Sequence, residues 1–200
     1  DGVAPTLDSS TPADNATAVA VDSNIILNFN EVIDTNTGSR IYVYKTEDNT
    51  LWSSSDVTQG GIVWGSNTTQ ITFDPTIESS PERSVFEQGT EYYVQLDATA
   101  ITDLAGNAYA GISDTTTLSF TTVDTTNPTL SSSSPTDNST TFAADSNIVL
   151  TFTEAVSVAT GNITIKKTSD DSTVEAIAVT SEQVTGTGTT EITINPIADL

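Results

Sequence analysis

Glu31, Asp103 and Asn107 are the side chains whose types and spacing best suit chemistry, and that chemistry is the binding of a hard cation. Asp103 and Asn107 frame the loop Asp103-Leu104-Ala105-Gly106-Asn107, where Gly106 permits the positive φ that a ligating loop needs. Calcium takes roughly six to eight oxygens from carboxylates, amides and backbone carbonyls, supplied by loops that can bend. Asp1 offers another carboxylate, and Asp124 and Glu154 stand at the places matching Asp1 and Glu31 in a second copy of the pattern. A local alternative stands beside this. Asp103 and Asn107 also suit an Asx-type turn, and Glu31 suits a strand cap or a solvent-facing position. Asp14, Asp22, Asp137 and Asp145, each followed by Asn or Ser-Asn, read as turn formers with local side-chain-to-backbone bonds.

Other chemistries are poorly served. The chain has no His and no Cys, so the usual general base, thiol nucleophile, thiolate zinc site and disulfide are all missing. Two carboxylates suffice for glycoside hydrolysis. The acidic residues sit in turn clusters, however, with no pocket-forming insertion, so no catalytic role is expected. The net charge of −22, from 27 acidic and five basic residues, would repel nucleic acid and an anionic membrane face. No apolar run is long enough to span a membrane, so no membrane insertion is expected. Trp52 follows a turn in a polar stretch and is a candidate exposed platform for a glycan, whereas Trp64 lies in an apolar run and reads as core.

The elements that must position these residues are short strands. Thr, Ser, Val, Ile and Asn dominate, and alternating segments lie between Gly, Pro, Asn and Asp clusters. Ile25-Ile26-Leu27-Asn28-Phe29-Asn30 reads as a half-buried strand, and Ile41-Tyr42-Val43-Tyr44 as a fully apolar one. Ile62-Val63-Trp64 and Ile71-Thr72-Phe73 read as a hairpin across Gly65-Ser66-Asn67. About seven to nine strands over the first copy indicate two packed sheets. Tyr92, three residues after the turn glycine Gly89, suits a tyrosine corner, with its hydroxyl bonded back to the turn.

The pattern then repeats. Pro5-Thr6-Leu7 recurs as Pro128-Thr129-Leu130, Asp22-Ser23-Asn24-Ile25 as Asp145-Ser146-Asn147-Ile148, and Phe29-x-Glu31 as Phe152-x-Glu154. Thr68-Thr69-Gln70-Ile71-Thr72-Phe73 recurs as Thr189-Thr190-Glu191-Ile192-Thr193-Ile194. Two domains follow, 1–123 and 124–200, joined by a short, semi-rigid linker ending at Pro128. Nothing in the second copy matches Pro81 to Val123, so that domain is expected to be incomplete here. With no Met, the chain is expected to be a piece of a longer, processed protein.

The order Pro-x-Leu, Pro-x-Asp-Asn, Phe-x-Glu, Gly-x-x-Tyr, Asp103-x-x-Gly106-Asn107 and Ser119-Phe120-Thr121-Thr122 resembles the bacterial Ig-like domains of the SbsB type. Those domains occur in tandem in S-layer proteins and large secreted adhesins. The resemblance implies an all-β fold of tandem immunoglobulin-like β-sandwich domains on an extracellular or cell-surface protein. It also implies calcium near domain junctions, with neighbouring Ig-like domains of the same chain as partners. The function expected is therefore a non-catalytic stalk or spacer module, calcium-stiffened at its junctions. One alternative is an adhesin module that binds a glycan or host surface through Trp52. Another is a fibre subunit completed by a strand from another subunit, because an incomplete sandwich exposes sheet edges and core.

Overall fold

The computed structural model describes residues 2–58, 62–63, 68–76 and 85–197, and its regular structure is β-strand throughout. The chain divides into two compact units, Asp1–Thr125 and Thr126–Leu200. Asp1 and Trp64, together with the turn Gly65-Ser66-Asn67, lie outside the described residues.

Unit 1 contains β1 (Leu7–Thr11), β2 (Ala16–Val19), β3 (Ile25–Thr35), β4 (Arg40–Lys45), β5 (Leu51–Asp56), β6 (Ile62–Val63), β7 (Thr68–Phe73), β8 (Glu91–Leu96), β9 (Ile101–Asp103) and β10 (Ser119–Thr122). One sheet runs β1-β3-β7-β6 with β9 also on β3, and the other runs β2-β10-β8-β4-β5. Ile25, Leu27, Phe29, Ile71 and Phe73 bury the inner face of the first sheet. Ile41, Val43, Tyr92, Val94 and Phe120 bury that of the second. Period-two alternation puts these residues on one side of each sheet, and each buried side chain of this size contributes roughly 1.5–3 kcal/mol. β6 and β7 pair antiparallel, Ile62 opposite Phe73. Ten strands exceed the seven to nine expected because β2, β6 and β9 are only two to four residues long, too short to show a period.

Two expectations need correction. Trp52 is 3% exposed, not a surface platform. Its ring packs against Phe86 at 4.4 Å and edge-on against Tyr92 at 5.7 Å between centroids. The polar sequence around it is misleading because β5 alternates, with Trp52 on the inner face and Leu51 outside. Ile41-Tyr42-Val43-Tyr44 is not buried on both faces either. Ile41 and Val43 point inward, and Tyr42 and Tyr44 are half-buried on the outer face.

Tyr92 is fully buried, and its hydroxyl accepts the Glu87 N–H at 2.9 Å. The turn it anchors is held from the other side by Thr122, whose hydroxyl donates to the Glu87 carbonyl at 2.6 Å and accepts the Thr90 N–H at 3.0 Å. This is the tyrosine corner expected from Gly-x-x-Tyr.

Unit 2 contains β11 (Leu130–Ser134), β12 (Ile148–Val156), β13 (Asn162–Lys166), β14 (Thr173–Ala178), β15 (Val184–Thr185) and β16 (Thr189–Ile194). They form a sheet β11-β12-β16-β15 and a pair β13-β14. The registers repeat those of unit 1: Leu130 opposes Phe152 as Leu7 opposes Phe29. Likewise Leu150 opposes Ile192 as Leu27 opposes Ile71. The peptide bonds before Pro12 and Pro135 are both cis.

Candidate functional site

Asp103 ends β9, opposite Ile33 of β3. β3 pairs β7 on one edge through Ile25–Asn28 and Ile33, and β1 on the other through Ile26–Phe29. Ile33 already meets β7, so β9 must occupy the same edge as β1. Asn30, Glu31 and Val32 fall in the interval between these two partners, where the β3–β7 register also shifts. Glu31 therefore lies inside a strand, not at the start of a loop as expected. The strand continues past it because β9, about seventy residues later in the chain, pairs with its far end. Glu154 sits likewise inside β12, within the interval of its register shift from Thr151 to Val156.

Glu31 and Asp103 line one shallow cleft of about 310 Å³, with Val32, Leu104 and Ala105 completing its wall. Asp103 is 4% exposed. Its Oδ1 accepts the N–H groups of Ala105 at 2.9 Å and Asn107 at 2.7 Å, and its Oδ2 accepts the Asn107 side-chain amide at 2.7 Å. The backbone closes the same loop, with the Asp103 N–H donating to the Asn107 carbonyl at 3.0 Å. Gly106 takes φ +90°, as the loop requires. The amide of Asn107, then the N–H groups of the loop, hold the Asp103 carboxyl below its ordinary range. Of the two readings open in the sequence, the turn is the one whose bonds are made. Both Asp103 oxygens serve the loop, and among the described residues no three acidic side chains converge on a metal position. Glu31, Asp103 and Asn107 alone fall short of the oxygen count calcium takes.

Asp124 is placed elsewhere in unit 1. It follows β10 and packs over the turn glycine Gly89, where a Cβ would come within 3.3 Å of its own Cβ. The Gly89 N–H donates to the neighbouring Val123 carbonyl at 3.2 Å.

The local chemistry of the acidic residues is uniform. At Asp48, Asp56, Asp74, Asp114 and Asp170, Oδ1 accepts both the N–H and the hydroxyl of the residue two places on. That residue is Thr50, Thr58, Thr76, Thr116 or Ser172. Asp-x-Thr/Ser is thus a turn clamp used in both units. Asp14 departs from the local bonding expected of it, because its Oδ1 accepts the N–H of Ser119 at 2.9 Å, 105 residues away. The turn itself is made by Asn15, at φ 59°, as Asn138 makes it in unit 2 at φ 61°.

Sequence reasoning missed the outer face of the second sheet. Tyr44 stacks on Tyr93 across the β4–β8 pair at 5.1 Å, and Tyr42 lies 6.2 Å from Tyr44 on the same strand. The Tyr42 hydroxyl reaches Asp97 at 3.4 Å, and that of Tyr93 donates to Asn49 at 3.2 Å. Burial, then the nearby Asp97 charge, raises the Tyr42 phenol above its ordinary value. The alternation of Tyr with Ile and Val in β4 was the available signal.

No curated protein sequence matches the chain. Among solved structures it is similar to CopC from Methylosinus trichosporium OB3b, at 12% identity and a TM-score of 0.41, over 62% of this chain and 97% of that one. The family model described as a bacterial Ig-like domain matches residues 1–122 and again 124–200. With paired β-sheets, a tyrosine corner and a repeated register beneath that match, the chain belongs to the bacterial Ig-like domain family.

Proposed function

We propose that this chain is a non-catalytic structural module, a spacer in an extracellular bacterial surface protein of the adhesin or S-layer type. The family match over both copies carries this reading. The acidic side chains support it, because where their bonds are described they build turns instead of converging on a reacting atom. Tandem units of one family extend a chain by repeated addition of the same fold, which is the mechanical task of a stalk. The test is to delete one unit from the full surface protein and measure how far its distal end projects from the cell. A shorter projection with binding at the distal end intact is the expected result. Loss of a chemical activity on deletion would overturn it.

Calcium enters as a secondary reading at the cleft shared by Glu31 and Asp103. An ion there would take its remaining oxygens from backbone carbonyls, water and further acidic groups. Binding to the folded form alone raises the melting midpoint with ligand concentration. Unfolding in millimolar calcium and then in chelator is expected to show a rise that Glu31→Gln removes. Equal midpoints in the two conditions would leave Asp103 as a turn former only.

The glycan reading loses its anchor with Trp52 in the core.

A further inference from the structure

Leu150, Phe152 and Val156 of β12, Ile163 of β13 and Ile192 of β16 line an apolar cleft of about 420 Å³ in unit 2. Their counterparts in unit 1 are Leu27, Phe29, Ile33, Ile41 and Ile71, which are only 0–4% exposed. What covers those counterparts is visible in the same chain: Tyr92 and Val94 of β8 and Phe120 of β10 belong to their core cluster. β8 hydrogen-bonds the edge of β4 from Ile41–Leu96 to Lys45–Tyr92. β13, the counterpart of β4, pairs β14 on one edge and no strand on the other among the described residues.

We propose that this face of unit 2 is a strand-accepting surface. Its occupant is a polypeptide with two extended segments of the chemistry of β8 and β10. Their inward aromatic and aliphatic residues fill the cleft, and one backbone extends the β14-β13 pair. The free edge of β13 selects a polypeptide, since a row of N–H and C=O groups is met by another strand and not by a glycan or a lipid chain. Charge agrees: the residues lining the cleft are uncharged, and β8 and β10 bring one acidic residue, Glu91, between them. This inference goes beyond the spacer reading and does not depend on it.

The test titrates the whole 200-residue chain, methyl-labelled, with an unlabelled peptide of its own residues 85–123. Saturable shifts are expected at the methyls of Leu150, Ile163 and Ile192, with Leu27 and Ile71 unmoved. A peptide carrying Tyr92→Asp and Phe120→Asp should bind at least about tenfold more weakly. In a second format the same peptide is joined after Leu200 through a glycine-serine linker. The native peptide should raise the melting midpoint of unit 2, and the doubly substituted one should not. Three results would overturn the proposal: no response in either format, equal responses from both peptides, or shifts of the same methyls on concentrating the chain alone. The last would show that a second copy covers this face.

Discussion

At Asp48, Asp56, Asp114 and Asp170 a neighbouring Thr or Ser hydroxyl, assisted by backbone N–H groups, holds the carboxyl below its ordinary range. Asn107 does the same for Asp103. A carboxyl depressed by folding stabilises the native state above its unfolded value of about 4. That stabilisation is lost as pH falls through the folded value. The clamps therefore resist mild acid together and fail together below about pH 4. Replacing the hydroxyl partner, as in Thr117→Val beside Asp114, should move the acid-unfolding midpoint to higher pH. An unchanged midpoint in a circular-dichroism pH titration would sink this account. These clamps were half legible in sequence. The spacing Asp-x-Thr marks a turn, and Asp103-x-x-x-Asn107 marks a loop, but spacing cannot show whether the carboxylate faces inward to N–H groups or outward to an ion. The long reach of Asp14 to Ser119 had no local signal at all.

Long alternating strands announced themselves at the scale of the element, while short ones depended on partners elsewhere. β2 shows the reason. It is a strand in unit 1 because β10 lies beside it in parallel, Phe120 opposite Ala16. The matching stretch in unit 2, residues 139–142, contains no strand. Unit 2 has no described counterpart of β10. The same local pattern thus takes two conformations, decided by what it can pair with. The tyrosine corner is the opposite case, fixed by residues five apart. Tyr92→Phe keeps the buried ring and removes the acceptor of the Glu87 N–H. A loss of roughly 1–3 kcal/mol is expected from the amide left unpaired. Urea unfolding of the variant checks this, and a loss near zero would mean that water takes the place of the hydroxyl.

At the scale of the whole chain the two units differ sharply in core. Nineteen buried apolar residues form the cluster of unit 1, and three form that of unit 2, among the described residues. Unit 2 should therefore melt first. Both tryptophans belong to unit 1, so their fluorescence reports that unit alone, whereas far-ultraviolet circular dichroism reports both. The dichroism transition is expected to begin at lower temperature than the fluorescence transition. Coincident curves would show that the units unfold as one. The family and the paired sheets were legible at this scale because the repeat supplies each motif twice. The open face of unit 2 was legible only as missing residues, since which side chains it uncovers depends on the register. A separate consequence follows from β4, which is flanked by β5 and β8 on its two edges. Arg40 and Lys45 are two of only five basic residues, and both lie within that strand. A protease that cuts after Arg or Lys needs several residues of free, extended backbone around its target. Here two of its few targets are locked in a three-strand ladder, so digestion at them must wait for unit 1 to open. A module of this build lasts among secreted trypsin-like enzymes by denying them substrate, with no disulfide to reinforce it.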